Sequence, residues 1–403
     1  MFRPMESAGE TRKRGNQRMF GTKKSLPFEK EERSMKRRKF LKTAGAGLAA
    51  GAVMAPTVVR AQQSFKWKLQ SANPSGTPHN VLLNRFASNV DKMSGGRLKI
   101  EILVSGAIVP PGEILDAVNK GVVDAGQWWT HYATRKHPAG GLFSSPLGGS
   151  GSGLDQMGQL AWYMRGGGRE LYVEYYTKIL KADVMPFLYA PDGPEAFGWF
   201  KKPVASVAEF TKLRFRISSG LPSDVLREMG GIPANFGASE LIPAAERGVL
   251  DGVEWINPAN DLKVGLHDVF KYYSIQGLHQ AIDIADVIIN GKKWHELPPD
   301  IQTIVEVAMT TSLFDAILYF VDENAKALQV LVNEKGVKMF DAPADYPPAW
   351  IKAAKKVLAK FEEKEPFFKK VLDSQRAFAK VVVPYTRETA KLSTLISGAA
   401  DIK

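Results

Sequence analysis

The sequence predicts an α/β protein of two similar lobes joined by crossover strands, and three observations carry that reading. A helix–Gly–strand unit occurs twice, as GEILDAVNKGVVDAGQWW from Gly112 and as SELIPAAERGVLDGVEW from Ser239. Laying Glu113 on Glu240 also lays Gly121 on Gly248, Asp124 on Asp251, Gln127 on Glu254 and Trp128 on Trp255. A repeat this large is a duplicated lobe rather than a solenoid unit. Runs at strand period also alternate with runs at helix period, the order that builds parallel sheets with right-handed crossovers. Finally, two strongly apolar runs, VMPFLYA near residue 187 and IDIADVII at 282–289, stand where the chain would pass between lobes.

The first 61 residues lie outside this architecture. They hold 15 Lys/Arg and 5 Asp/Glu of the chain's 54 and 42, leaving 39 and 37 for the rest. The folded part is therefore almost neutral, which argues against a nucleic-acid surface. Residues 36–42 (KRRKFLK), the mildly apolar run after them and Val59-Arg60-Ala61 have the three parts of a secretory signal in order. Arg-Arg-x-Phe-Leu-Lys resembles a twin-arginine signal, and cleavage is expected after Ala61, which places the protein in the periplasm. Residues 1–34, polar and aperiodic, read as a disordered extension. There is no cysteine, so disulfides and thiolate chemistry are excluded.

The expected first lobe spans residues 62–190. FKWKLQ alternates as a strand, HNVLLNRFASNVDKMSGG reads as a helix closed by Gly95-Gly96, and RLKIEILV is a second strand. The repeated helix 113–120, its Gly121 cap and the strand from Val122 follow. Ligands of parallel sheets bind at the C-terminal strand ends, which points to Asn73–His79 and to Gln127, Trp128, Trp129 and Tyr132. PLGGSGSGLDQ and Arg165-Gly166-Gly167-Gly168-Arg169 read as a mobile surface loop beside the cleft, since no phosphate-loop motif is present.

The second lobe is expected at 191–285. EAFGWF begins it as an aromatic strand, LRFRI is the next, and IPANF and VLDGVEW follow, each after a helix. Arg216 closes LRF beside Ser218-Ser219-Gly220, where a guanidinium can grip a planar carboxylate in two places. Glu254 follows the repeated strand and is read as holding a cation or a polar group beside Arg216. A lone Trp is more often core than ligand contact, but Trp255 stands at a strand end next to Glu254. Gln280, in the segment before the second crossover run, is a further ligand candidate. Residues 286–403 return to the first lobe, then supply a long helix shared by both lobes and extra helices, with Pro366 and Pro384 expected to break them. A homodimer through these last helices is expected.

HExxH, GxSxG and dinucleotide motifs are absent, and the six histidines show no metal-binding spacing. This favours a binding module over an enzyme, with a periplasmic enzyme acting on an organic acid, or a sensory receptor for one, as the alternatives. GEILDAVNKGVVDAG, GWFKKP, LRFRISSG, GGIPANFGASELIPAAERGVLDGVEW and DVIINGKKWHELPPDIQ resemble the extracytoplasmic solute-binding proteins of tripartite ATP-independent periplasmic (TRAP) transporters, closest to the branch for 2-oxo and 2-hydroxy monocarboxylates. The resemblance implies the two-lobe periplasmic-binding-protein fold, membrane permease subunits as partners and no organic cofactor. It implies that Arg216 binds the substrate carboxylate. It also implies that the Glu254 side chain and the Trp255 carbonyl hold a sodium ion touching that carboxylate. From their place at the strand end of the first lobe, Gln127 and Trp128 are expected to form the opposing wall. Dicarboxylate and sialic-acid members have Asn in place of Trp255. The branch often carries Gln just before GWF; here the neighbourhood is Pro194-Glu195-Ala196-Phe197, and Glu195 in the cation and ligand role would favour a divalent ion such as calcium.

Overall fold

In the computed structural model, which describes residues 63–399, strands alternate with helices as the hydrophobic periods require. The expected N-terminal extension, signal and cleavage point lie outside the described residues. In chain order the strands are β1 (Phe65–Ser71), β2 (Leu98–Leu103), β3 (Ala125–Trp128), β4 (Val184–Gly193), β5 (Gly198–Phe200), β6 (Arg214–Arg216), β7 (Ile232–Ala234), β8 (Gly252–Val253), β9 (Tyr272–Ser274), β10 (Asp283–Asn290) and β11 (Lys338–Met339). They form a sheet of order β2-β1-β3-β10-β4 and a second of order β11-β9-β5-β8-β6-β7.

The two orders are the same design. In each, three strands run parallel, and one strand arriving from the other lobe lies antiparallel beside them: β10 next to β3, and β5 next to β8. The repeat read from the sequence falls on β3 and β8, and the helices before them, Ile114–Asn119 and Ala238–Glu246, close at Gly121 (φ 72°) and Gly248 (φ 71°). Both turns need a left-handed residue, which a Cβ disfavours, so glycine stands at both. The two apolar runs do cross: β4 leads out of the first sheet and β10 leads back.

The helix Pro299–Asn333 is continuous over 35 residues. By length and composition alone it could cross a membrane. Here it packs on β4, on the helix Pro78–Met93 of the first lobe and on the helix Pro258–Val264 of the second. Its buried stripe (Ile301, Val305, Met309, Ala316, Phe320, Leu331) reaches both lobes, and burial of that stripe stabilises a helix of any length.

Two expectations are corrected. The Gly-rich stretch after Leu147 is packed rather than a free loop: a Cβ on Gly151 would meet Leu358 and Leu372 at 2.9 Å, so glycine there lets the C-terminal helices approach. Pro384 does not break its helix, which runs from Pro366 to Gly398. It lies on the exposed side, where water can satisfy the carbonyl that a proline leaves without a donor.

Candidate functional site

Parallel pairing of β6 with β8 sets Arg216 opposite Val253, so Glu254 emerges beside the guanidinium. Arg216 Nη1 donates to Glu254 Oε1 at 2.8 Å and to the Glu254 carbonyl at 2.9 Å, and Nε donates to the Phe236 carbonyl at 3.3 Å. The Trp255 indole lies under the guanidinium, 4.7 Å from its carbon. Nη2 makes no hydrogen bond among the described residues, and the side chain keeps 14% of its surface while Glu254 is fully buried. Ser218 N also donates to Glu254 Oε1. Both bonds to the Glu254 carboxylate fall on Oε1, and Oε2 is buried without a hydrogen-bond partner among the described residues.

Two further groups converge on that oxygen. Glu195 follows β4, and its N–H donates to the Gln280 carbonyl, which holds the 275–282 connection against it. That connection brings in His279, whose Nε2 lies 3.7 Å from Glu195 Oε2 and 4.0 Å from Glu254 Oε2. All three side chains are buried, and Glu195 Oε2 and His279 Nε2 also lack hydrogen-bond partners. Burial, then the neighbouring Glu254 charge, pushes the Glu195 carboxyl well above its ordinary range. Burial also raises Glu254, against the pull of Arg216. Burial and then the Arg216 charge hold the His279 imidazole down to about 3, so it is neutral. Two acids facing one another around an unprotonated nitrogen form a donor set for a cation.

The first lobe faces this cluster with its 130–135 turn. Burial and then the Arg216 charge lower His131 to about 3, so the guanidinium is felt across the cleft. Tyr132, on the same turn, keeps 38% of its surface free. A separate cavity of about 200 Å³ lies between Thr134 and Arg135 on one side and Ser219, Gly220 and Asn235 on the other, and none of Arg216, Glu195, Glu254 and His279 lines it.

Gln127 and Trp128 do not form that wall. Gln127 Oε1 accepts from Ser71 Oγ (3.1 Å), Ala72 N (3.3 Å) and Asn73 Nδ2 (2.9 Å), and Trp128 Nε1 donates to Tyr176 Oη (3.0 Å). The reason lies in the duplication. By register, Gln70 and Gln127 occupy the places of Arg216 and Glu254, and Ala72 N bonds Gln127 as Ser218 N bonds Glu254. In the first lobe the pair is two amides whose bonds stay within the lobe, Gln70 bracing Ile108 and Val109. In the second lobe the pair is charged. Gln280 likewise braces the site: Nε2 donates to Asp283 at 3.4 Å and its backbone holds Glu195. The sequence reading put His279 among scattered histidines; the signal was its neighbour Gln280, already a candidate.

Asp261 holds the loop that carries Glu254 and Trp255. It accepts from Trp199 Nε1 (2.7 Å), Tyr273 Oη (2.9 Å) and Ile256 N (3.1 Å), while Trp199 stacks on Tyr273 at 4.0 Å. Burial pushes its carboxyl up to about 7. A folded value above the unfolded one of about 3.9 means that the native state binds the proton more tightly. Its contribution to stability is full below about pH 4 and is lost as pH rises to about 7. Denaturant titrations of wild type and Asp261→Asn across that range should therefore show the wild-type advantage shrinking with pH. A constant difference would contradict the shift.

A profile of the family described as bacterial extracellular solute-binding protein, family 7, matches residues 69–365. A monocarboxylate 2-oxoacid-binding periplasmic protein of Nostoc sp. is 28% identical over 360 residues, covering 88% of this chain and 96% of that one. A TRAP periplasmic solute-binding protein of Pseudoalteromonas atlantica, solved with sodium and pyruvate, superposes with a TM-score of 0.75 at 29% identity, over 82% of this chain and 99% of that one. One of Colwellia psychrerythraea, solved with calcium and pyruvate, gives 0.74 at 28% identity, over 82% and 100%.

Proposed function

Because this chain belongs to family 7 of the bacterial extracellular solute-binding proteins, the receptors of TRAP transporters, we propose that it captures a small 2-oxo or 2-hydroxy monocarboxylate together with a cation in the periplasm and delivers it to membrane permease subunits. The family is one of transporter substrate-binding proteins rather than enzymes. The observation that carries the ligand class is Arg216, held by Glu254 and Trp255 with Nη2 unspent among the described residues. A planar carboxylate can take that nitrogen, and its second oxygen can reach the cation held by Glu195, Glu254 and the Trp255 carbonyl, which accepts no hydrogen bond among the described residues.

Charge favours a divalent ion. Glu195, Glu254 and the ligand bring three negative charges against one on Arg216, so calcium leaves the buried set neutral and sodium leaves it one charge short. Calcium and sodium are bound with pyruvate in the two similar structures. In this reading residues 62–190 and 191–285 are the lobes and 286–403 the return, with Lys338–Met339 added to the second sheet. The lobes close about the connections after β4 and before β10. A thermal-shift panel of pyruvate, lactate, longer 2-oxoacids and dicarboxylates tests the assignment: monocarboxylates with calcium should raise the midpoint, and stabilisation by dicarboxylates alone would refute it.

A homodimer belongs to the same proposal. Ala379 is the last buried residue of the helix Pro366–Gly398. Beyond it Val381, Tyr385, Leu392 and Leu395 are 57–78% exposed. Counting Glu388 and Ala399, this stripe repeats in steps of four and three, the seam of a helix pair. Deleting residues 381–403 should turn a dimer into a monomer in light scattering, with ligand binding kept; an unchanged mass would exclude this seam.

A further inference from the structure

Beyond Arg216, the stretches that follow β3 and β6 bring the two lobes into contact. The first runs through Thr134 into the short helix Gly140–Ser144, and the second through Gly220 into the helix Leu221–Glu228. They meet with no space to spare. A Cβ on Gly220 would stand 2.6 Å from Thr134 Oγ1, and one on Gly141 would stand 2.6 Å from Leu221 Cδ1. Gly220 also has φ 86°, where a side chain is strained. The buried Leu221 is thus a knob from one lobe seated in a hole of the other, and Gly141 is the floor of that hole. The cavity of about 200 Å³ opens beside this contact, lined by Thr134 from one side and by Gly220 and Leu221 from the other. The contact therefore lies on the seam between the lobes rather than within one of them.

Both sides of the seam are tied to the binding site. Thr134 Oγ1 donates to the His131 carbonyl at 2.8 Å, and His131 feels the Arg216 charge. Ser223 Oγ donates to the Ser218 carbonyl at 2.8 Å, and Ser218 N donates to Glu254 Oε1. A ligand held between Arg216 and the first-lobe turn therefore draws together the same two stretches that Leu221 joins. An interaction made only when the lobes are closed raises the closed population and leaves the encounter of ligand with the open form untouched. Its strength then shows in the rate of release. Resting on the receptor reading above, we propose that Leu221, seated on Gly141, is a latch between the lobes: a positioning residue that sets the residence time of the ligand by holding the lobes closed.

The test uses the exported protein, unfolded and refolded to remove bound ligand. Stopped-flow tryptophan fluorescence follows pyruvate binding and release in the presence of calcium. Leu221→Ala removes the knob and should speed dissociation at least about tenfold, with association within about threefold of wild type. Gly141→Ala fills the hole from the other side and should also speed dissociation. The double variant Gly141→Ala, Leu221→Val trades one methyl for one methylene and should bring dissociation back to within about threefold of wild type. The unfolding midpoint without ligand separates a latch from a core residue, and in Leu221→Ala it should stay within about 3 °C of wild type. Unchanged dissociation in Leu221→Ala, or a double variant no better than Gly141→Ala, overturns the latch and leaves the receptor reading intact. A Leu221→Ala protein that fails to fold, or whose ligand-free midpoint falls further, places Leu221 in the permanent core and overturns the latch likewise. Failure of the wild type to bind pyruvate and lactate alike overturns both.

Discussion

Arg216→Ala should weaken carboxylate binding by at least about 100-fold. The guanidinium does two jobs that alanine cannot share. It offers Nη2 to the ligand, and it balances Glu254 at 2.8 Å in a site where Glu254 is fully buried. Removing one partner of a buried pair costs about 3–5 kcal/mol, and each 1.4 kcal/mol is tenfold in affinity. Part of that cost is met in the apo protein, because a buried Glu254 left alone can take up a proton. The folded protein therefore survives better than the affinity does. Arg216→Lys separates charge from shape: a point charge restores some attraction but neither the fork geometry nor the stacking on Trp255, so binding should recover only in part. Isothermal titration of both variants decides this, and wild-type affinity in Arg216→Ala would remove Arg216 from the site.

Glu254→Gln should produce the second large loss, of a different character. The amide oxygen can still accept from Ser218 N and Arg216 Nη1, so the β6–β8 end keeps its shape. The cation loses an anionic ligand, and Arg216 loses its counter-charge. We expect carboxylate affinity to fall roughly 30-fold or more by the same buried-charge reasoning and to stop responding to added calcium or sodium. The two variants then differ diagnostically. Arg216→Ala should retain metal binding and lose the carboxylate, whereas Glu254→Gln should lose the metal effect and keep a weak carboxylate interaction. Equal calcium dependence in Glu254→Gln and wild type would contradict the assignment.

What the sequence made legible were the features set by period and repetition. The Gly121 and Gly248 caps, the parallel strands and the two crossing runs follow from local pattern, and pairing β6 with β8 makes Arg216 and Glu254 neighbours. Two things escaped. The duplication suggested equivalent roles for Gln127 and Glu254, and their backbone bonds are equivalent. Their chemistry is not, because Ser71 and Asn73 occupy the Gln127 oxygen that an opposing wall would need. His279 escaped because the 275–282 connection folds back on Glu195 through the bond from Glu195 N to the Gln280 carbonyl, a tertiary contact that no periodicity encodes. Pro384 shows the opposite failure: a strong local signal yields where the helix side it faces is wet.

In the proposed receptor, one buried site joins a carboxylate to a cation. Calorimetric titration of pyruvate into the refolded, ligand-free protein, with calcium and then with excess chelator, tests it most directly. Tight one-to-one binding with calcium is expected, with a loss of at least about tenfold in chelator, because two buried glutamates then face the ligand without their counter-ion. Equal affinity in both conditions, or no binding of any monocarboxylate, would contradict it.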